Sequence, residues 1–156
     1  APAVRPARPL EEADAKEAVV RRYFEGVNKQ DHAQISSCFT ATVELRDMCG
    51  PSRGKLRSAS ASDMGDRCMD FVAAHPDCIV RLETEPRLDR DGKWVWCHWA
   101  ETGTWSGESC GLKPDGSVLE VSGHTRFEVE KQEGGEYKIA RQVVYRTFAN
   151  WELSLR

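Results

Sequence analysis

The chain has 156 residues, a length that suits one domain built around a single core. Lysine and arginine total 22 against 25 acidic residues, so the net charge is -3, and no overall positive field is present to hold a nucleic-acid backbone or an anionic membrane. No apolar stretch approaches the roughly 20 residues that cross a bilayer. The sequence therefore predicts a soluble protein that binds neither nucleic acid nor membrane.

The first ten residues, APAVRPARPL, contain three prolines and no apolar periodicity. They predict a disordered leader over residues 1–10, followed by one domain over residues 11–156. Because this stretch is rich in alanine and arginine and lacks acids, it resembles the remainder of a cleaved organelle transit peptide. An arbitrary boundary explains it equally well. The predicted location is thus a chloroplast or another organelle, or otherwise the cytoplasm.

Six cysteines lie at positions without CxxC pairs or metal-finger spacing. Several of them fall inside apolar runs, where a thiol behaves as a small hydrophobic group. We therefore expect free thiols and a reducing compartment. The four histidines form no HxH or HExxH motif, and no glycine-rich phosphate loop or GxSxG motif occurs. No metal and no cofactor is predicted.

Apolar spacing predicts three helices in the first half of the chain. Residues 20, 23, 24 and 27 follow i, i+3, i+4, i+7 spacing, which predicts a helix from about Glu11 to Asn28. Asp31 is a predicted N-cap, with Gln34 completing a capping box, for a short helix through Cys38. A third helix is predicted over Ser62–Ala74, ending before a proline.

Only strands are predicted after the third helix. Four alternating segments are separated by turn sequences: CIVRLETEPRL, KWVWCHWAETGTW, SVLEVSGHTRFEVEK and EYKIARQVVYRTF. An earlier strand is predicted at TVELRD, and the SASAS run at 58–62 reads as a flexible entry to the third helix. Helices followed by a meander of strands predict an α+β fold, in which a curved sheet wraps around the helices and encloses a hollow.

The segment WVWCHWAETGTW, residues 94–105, holds four of the five tryptophans. As a strand it directs alternate side chains to opposite faces, and bulky rings occur on both. One face would line the hollow, and the sequence leaves open which one. The other face then needs a cover, which predicts a homodimer through the outer face of the sheet.

The order of several segments resembles the SnoaL-like polyketide-cyclase branch of the nuclear-transport-factor-2-like superfamily. The resemblance runs from YFEGVNKQDHAQISSCFTATVELRD through GPSRGK, FVAAHPDCIVRLE and HWAETGTWSGESCGLKPDG to GHTRFEVEKQEGGEYKIARQVVY. It implies a cone-shaped α+β barrel with an apolar pocket that is commonly dimeric. The activities that it implies range over isomerases, cyclases, dehydratases and hydrolases, with non-catalytic binding domains among them, so the fold alone does not assign a function.

The chain departs from the family pattern at two positions. The acidic residue that family cyclases and isomerases often carry near the end of the last strand is replaced here by Arg146 or Thr147. The family form Gly-Thr-His-x-Gly reads Gly-Thr-Trp-Ser-Gly over residues 103–107, with a neutral indole in place of an ionisable imidazole. Both departures favour binding over proton transfer.

General acid–base chemistry in such a pocket needs a tunable base and a donor for a developing oxyanion. The predicted catalytic candidates each have a structural alternative. Asp47 resembles the acidic residue that the family carries at the edge of its pocket, after the first strand. Its structural alternative is a residue that starts a turn. His98 and Glu101 point to opposite faces of one strand, so only one of them can face the pocket. The structural alternative for His98 is a packed core or interface histidine, and for Glu101 it is an ion pair with a neighbouring strand. Tyr145 or Tyr23 would be the donor. His124 is a weaker pocket candidate.

The predicted ligand pocket is mainly aromatic. Its members are Tyr23, Phe24, Trp96, Trp99, Trp105, Phe127 and, to hold an anionic group, Arg141. The favoured function is binding of a hydrophobic or aromatic metabolite in this pocket. One alternative is a cofactor-independent lyase, isomerase or cyclase, and a weaker one is a dimeric scaffold whose hollow is filled by its own tryptophans.

Overall fold

The computed structural model describes residues 10–50, 52–149 and 152. Three helices are present: α1 (Leu10–Lys29), α2 (His32–Ser37) and α3 (Ala61–Ala74). The strands are β1 (Phe39–Asp47), β2 (Arg57–Ser60), β3 (Ile79–Leu88), β4 (Trp94–Thr104), β5 (Val118–Lys131) and β6 (Tyr137–Arg146). The predicted leader lies outside the described residues except at Leu10, where α1 begins.

Side-chain caps set the starts of the two shorter helices. The Asp31 carboxylate accepts a hydrogen bond from the backbone N–H of Gln34 at 3.0 Å, as predicted. The Gln34 side chain does not close a capping box, because it donates to the carbonyl of Arg22 instead. The reciprocal box occurs at α3, between Ser60 and Asp63. It places the start of α3 at Ala61, one residue before the prediction.

The six strands form one curved, unclosed sheet in the order β2-β1-β6-β5-β4-β3. The last four strands of the chain make an antiparallel meander, as expected. β6 also pairs with β1 in parallel, so of the two sheets that the sequence allowed, antiparallel or mixed, the structure has the mixed one. The predicted α+β fold, with a curved sheet around N-terminal helices, is confirmed.

The SASAS segment corrects one prediction. Its first residues belong to β2, an edge strand that pairs antiparallel with β1 and places Ser60 beside Thr42. A four-residue strand is too short to show a clear alternation, and the serine-rich composition is typical of turns. The pairing with β1 therefore overrides the local preference for a flexible entry.

Helix α1 packs on the concave face of the sheet through an aromatic cluster. The Tyr23 ring lies 5.4 Å from Phe39 and 5.7 Å from Phe127, and the Phe24 ring lies 6.0 Å from Phe127, all edge-to-face between ring centroids. Edge-to-face packing is a favourable aromatic arrangement. The cluster therefore packs α1 against β1 and β5.

None of the described helices has both the length and the apolar character that crossing a membrane requires. All six cysteines are free thiols, three of them buried: Cys38, Cys78 and Cys97.

Candidate functional site

A cavity of about 710 Å³ lies between the helices and the concave face of the sheet. Helices α1 and α3 supply one wall, and strands β1, β3, β4, β5 and β6 supply the other. Apolar side chains form much of the lining, including Phe24, Val27, Leu45, Met64, Val80 and Trp99. The sheet contributes the polar residues Asp47, Glu101, Gln142 and Arg146, and further polar groups come from the helices and loops, among them Tyr23, Arg67, Asp70, Glu108 and Glu152.

The alternation of β4 settles which face of the tryptophan-rich strand turns inward. The odd-numbered residues Val95, Cys97 and Trp99 are buried, and Trp99 and Glu101 line the cavity. The even-numbered face is the outer one, where Trp96 is 36% exposed. Burial of the Trp99 indole is supported by its N–H, which donates to the Thr125 hydroxyl at 2.9 Å.

Glu101 places a carboxyl group on the wall of the cavity. The residue is partly buried, and no ion pair or hydrogen bond of its carboxyl is found among the described residues. Burial raises the pKa of Glu101 to about 7, while the charge of Arg146 acts in the opposite direction. A carboxyl with this pKa exchanges a proton near neutral pH, as a general base must.

Tyr23 brings a hydroxyl group to the cavity from α1. Its oxygen lies 4.0 Å from the sulfur of Cys68, on α3. Burial, reinforced by Cys68, raises the pKa of Tyr23 well above its ordinary value, although a side-chain hydrogen bond from Gln142 lowers it. The phenol therefore stays protonated at physiological pH and is available as a donor.

Arg146 joins two carboxylates at the edge of the cavity. Its Nη2 donates to Asp47 at 2.8 Å, and its Nη1 donates to Glu152 at 2.5 Å. Asp47 also accepts from the backbone N–H groups of Cys49 and Gly50, at 3.2 and 3.0 Å. Asp47 therefore forms the turn that its structural alternative predicted, and it also lines the cavity.

Five predicted site residues lie on the outer face of the sheet and do not line the cavity. His98 and Trp96 are on the even face of β4, and Tyr145 is opposite the neighbouring histidine of β5. That histidine, His124, stacks on Tyr145 with ring centroids 5.1 Å apart. Arg141 forms ion pairs with Glu44 and Glu128 on the same face, so its charge is already matched.

Two predicted pocket aromatics are buried outside the cavity lining. Phe127 belongs to the cluster beneath α1. Trp105, just beyond β4, donates its indole N–H to the carbonyl of Gly107 at 2.8 Å, and the N–H of Gly107 donates to the carbonyl of Ala74. The Gly-Thr-Trp-Ser-Gly motif therefore anchors a loop to the end of α3.

The cavity contains residues that the sequence did not single out as site members. Gln142, Val144 and Arg146 line the cavity from β6. They are alternate residues of one strand, and the sequence alone predicts that such residues share a face. Glu152 follows the last strand and carried no signal. Within residues 10–50, 52–149 and 152, no group of three or more metal-ligating side chains is found.

No family model and no curated protein sequence matches the chain. Solved structures do. A protein of Kribbella flavida is 14% identical with a TM-score of 0.71, covering 95% of this chain and all of the other (100%). A protein described as a SnoaL-like polyketide cyclase, from Jannaschia sp. CCS1, is 14% identical with a TM-score of 0.67, covering 97% of this chain and 95% of the other. A protein described as a scytalone dehydratase, from Novosphingobium aromaticivorans, is 14% identical with a TM-score of 0.65, covering 90% and 87%.

Proposed function

Because the chain has the fold of the nuclear-transport-factor-2-like superfamily, we propose that its cavity binds an uncharged, ring-containing small molecule and removes a proton from it. The domain would then be a cofactor-independent isomerase, dehydratase or cyclase. Structural relatives include proteins described as polyketide cyclases and as a scytalone dehydratase. At 14 to 16% identity these names support a class of chemistry and no particular substrate.

The proposal depends on one observation, the position of the Glu101 carboxyl on the wall of the cavity. An unpaired carboxyl facing an apolar cavity costs free energy that a purely structural residue would avoid by pairing. Its raised pKa, about 7, lets it accept a proton from carbon and return it. Perturbed carboxyl groups of this kind are concentrated at functional sites.

The remaining groups suit the same reaction. When Glu101 removes a proton next to a carbonyl group, negative charge develops on the carbonyl oxygen. The Tyr23 hydroxyl, which lines the same cavity, would donate a hydrogen bond to that oxygen. Glu101 then returns the proton to a different carbon, or to a leaving hydroxyl group. Trp99 and Phe24 supply flat apolar surface on which a ring system can pack.

A general probe of this chemistry is 5-nitrobenzisoxazole, whose ring opens when a base removes its C3 proton and the N–O bond breaks to release a coloured phenolate. We expect the wild-type protein to accelerate this reaction with an apparent pKa near 7. Glu101→Gln should lose about 100-fold of the rate, a typical contribution of a general base. Glu133→Gln, in the exposed β5–β6 turn, is the control. Equal rates for wild type and Glu101→Gln would overturn the proposal.

Binding without turnover is the second candidate function, and the large apolar share of the cavity wall favours it. Quenching of Trp99 fluorescence by an aromatic ketone, measured in wild type and Trp99→Phe, would detect such binding. Native mass spectrometry of gently purified protein would identify a retained compound. Saturable quenching that depends on Trp99, together with no acceleration of proton removal, would favour this second function.

We also propose that a second copy of the chain covers the outer face of the sheet. This face exposes Trp96 (36%), Ile79 (54%) and Val118 (64%). It also carries charges of both signs, such as Arg141 and Glu128, so two copies related by a twofold axis can offset each other's charges. Exposed apolar surface with a polar surround is typical of a protein interface.

A further inference from the structure

Every N–H donor of Arg146 is engaged within the described structure. Nε and Nη2 both donate to Asp47, at 3.1 and 2.8 Å. Nη1 donates to Glu152 and to the carbonyl of Thr147, and Nη2 donates to the second oxygen of Glu152 at 2.8 Å. A guanidinium group has five N–H donors, and these five bonds use all of them.

The use of all five donors matters because Glu101 projects into the same cavity and its carboxyl has no partner among the residues that the structure describes. Arg146 lies opposite Gly123, and Glu101 lies opposite Val121, so the two side chains flank β5 from β6 and β4. Their backbones are about 12 Å apart, since two strand spacings of about 4.8 Å separate them across the sheet and two residues of about 3.3 Å rise separate Val121 from Gly123 along β5. Gly123 has no side chain between them, and a released guanidinium could extend to Glu101.

Glu152 is one of two partners that hold Arg146 away from this position, and Asp47 is the other. It binds the guanidinium through both carboxylate oxygens, and its own position is fixed by the N–H of Ala149, which donates at 2.8 Å. Glu152 is 5% exposed, so this pair is screened little by solvent. Asp47 binds the remaining donors from β1, on the side of β6 away from Glu101.

We propose that Glu152 is a positioning residue for Glu101: by binding Arg146 it prevents an Arg146–Glu101 ion pair, and so keeps the Glu101 carboxyl free for the ligand. The inference rests on the proposed role of Glu101 as the base. An arginine paired with Glu101 would hold that carboxyl ionised and occupy its oxygens, and both effects would weaken it as a base.

Several other ionisable groups share the cavity with Glu101. Helices α1 and α3 contribute Tyr23, Arg67, Cys68 and Asp70. The others are Arg57 of β2, Cys78 just before β3, and Glu108 and Cys110 in the loop after β4. Tyr23 and the two thiols of Cys68 and Cys78 have raised pKa values and remain neutral near pH 7. Arg57 and Arg67 are exposed at the mouth of the cavity, where solvent screens them. Arg146 is the cation that acts on the pKa of Glu101.

The test is a ¹³C NMR titration of the Glu101 side-chain carboxyl, which needs no substrate. In wild type we expect a midpoint near pH 7. In Glu152→Gln the midpoint should fall by about one pH unit or more, the size of effect that a new arginine partner produces. In the double variant Arg146→Met/Glu152→Gln the midpoint should return to the wild-type value or above it, a rescue that general loosening of the structure would not give.

A Glu101 midpoint that is the same in Glu152→Gln and wild type would overturn the inference. If Glu152→Gln does not fold, Asp47→Asn releases two donors of the same guanidinium and must shift the midpoint in the same direction. The benzisoxazole assay keeps the two proposals apart. A midpoint that falls as expected in protein that never accelerates proton removal would support the positioning role and reject the proposed function.

Discussion

The indole N–H of Trp99 donates to the hydroxyl oxygen of Thr125 across β4 and β5, at 2.9 Å. Both residues are buried, with 7% and 2% of their surface exposed, so the bond has no ready replacement from solvent. It fixes the orientation of the one tryptophan ring of β4 that forms part of the cavity wall.

Replacing Thr125 with valine should therefore destabilise the fold. Valine nearly preserves the shape of the threonine side chain, but it leaves the indole N–H of Trp99 buried without an acceptor. The loss should cost about 1 to 3 kcal/mol. Urea unfolding would measure the change. In a double-mutant cycle with Trp99→Phe, the two losses should be clearly less than additive, since either change alone removes the bond. Additive losses would mean that the bond contributes little.

The Glu101 carboxyl should make the stability of the protein fall as the pH rises from about 4.5 to about 7. Over this interval the folded chain binds a proton that the unfolded chain has already released, so raising the pH favours unfolding. The difference between a pKa of 4.5 and one of about 7 corresponds to about 3.5 kcal/mol at about 1.4 kcal/mol per pH unit. Because water in the cavity screens part of this effect, we expect a change of roughly 2 to 3 kcal/mol.

Glu101→Gln removes this dependence, because the amide does not titrate. Urea unfolding of both proteins at several pH values gives the comparison, and the variant should be the more stable of the two above pH 7. Parallel curves for variant and wild type would show that burial does not hold a proton on Glu101.

Gly107 is predicted to tolerate no side chain. A Cβ atom there would lie 2.1 Å from the carbonyl oxygen of Ala73 and 3.0 Å from the Cα of Ala74, both backbone atoms that cannot move freely. Gly107→Ala should cost about 2 kcal/mol or more by thermal or urea unfolding. Gly134→Ala is the matched control, because nothing lies within 4 Å of a Cβ there, and it should change stability by less than about 0.5 kcal/mol.

The outer face of the sheet gives a prediction on assembly. Trp96→Asp places a charge at the centre of the proposed interface, where it would be buried without a partner, and should convert a dimer to monomers in sedimentation velocity. Leu56→Asp is the control, since Leu56 is also exposed (46%) but lies in the loop before β2. A wild-type chain that is monomeric at tens of micromolar, or a Trp96→Asp variant that stays dimeric, would contradict the proposed interface.

Local patterns in the sequence were sufficient for much of the fold. The spacing of Val20, Tyr23 and Phe24 identified the apolar stripe of α1, and Asp31 identified the start of α2, because both signals act within one or two helical turns. The strand β2 was missed because its stability depends on β1 and not on its own composition. Long-range pairing of this kind leaves little trace in a local pattern.

The site was less accessible to such reasoning. Alternation established that His98 and Glu101 face opposite sides, but the inward side depends on where α1 and α3 pack. The aromatic residues Trp96 and Trp105 are chemically as suitable for a pocket as Trp99, and only their positions in the fold separate them. Glu152 meets Arg146 through the path of the chain after β6, which no periodicity describes.

The position of β6 between β1 and β5 has a consequence for how the molecule forms. Six strands are made in order on the ribosome, yet the last of them occupies an interior place in the sheet. Until it emerges, β1 and β5 each present an unpaired edge, and such edges are sites where nascent chains aggregate. Joining them requires contacts between residues about a hundred positions apart, such as Glu44 and Arg141, and contacts of that span make folding slow. The central sheet should therefore form only after β6 has been synthesised.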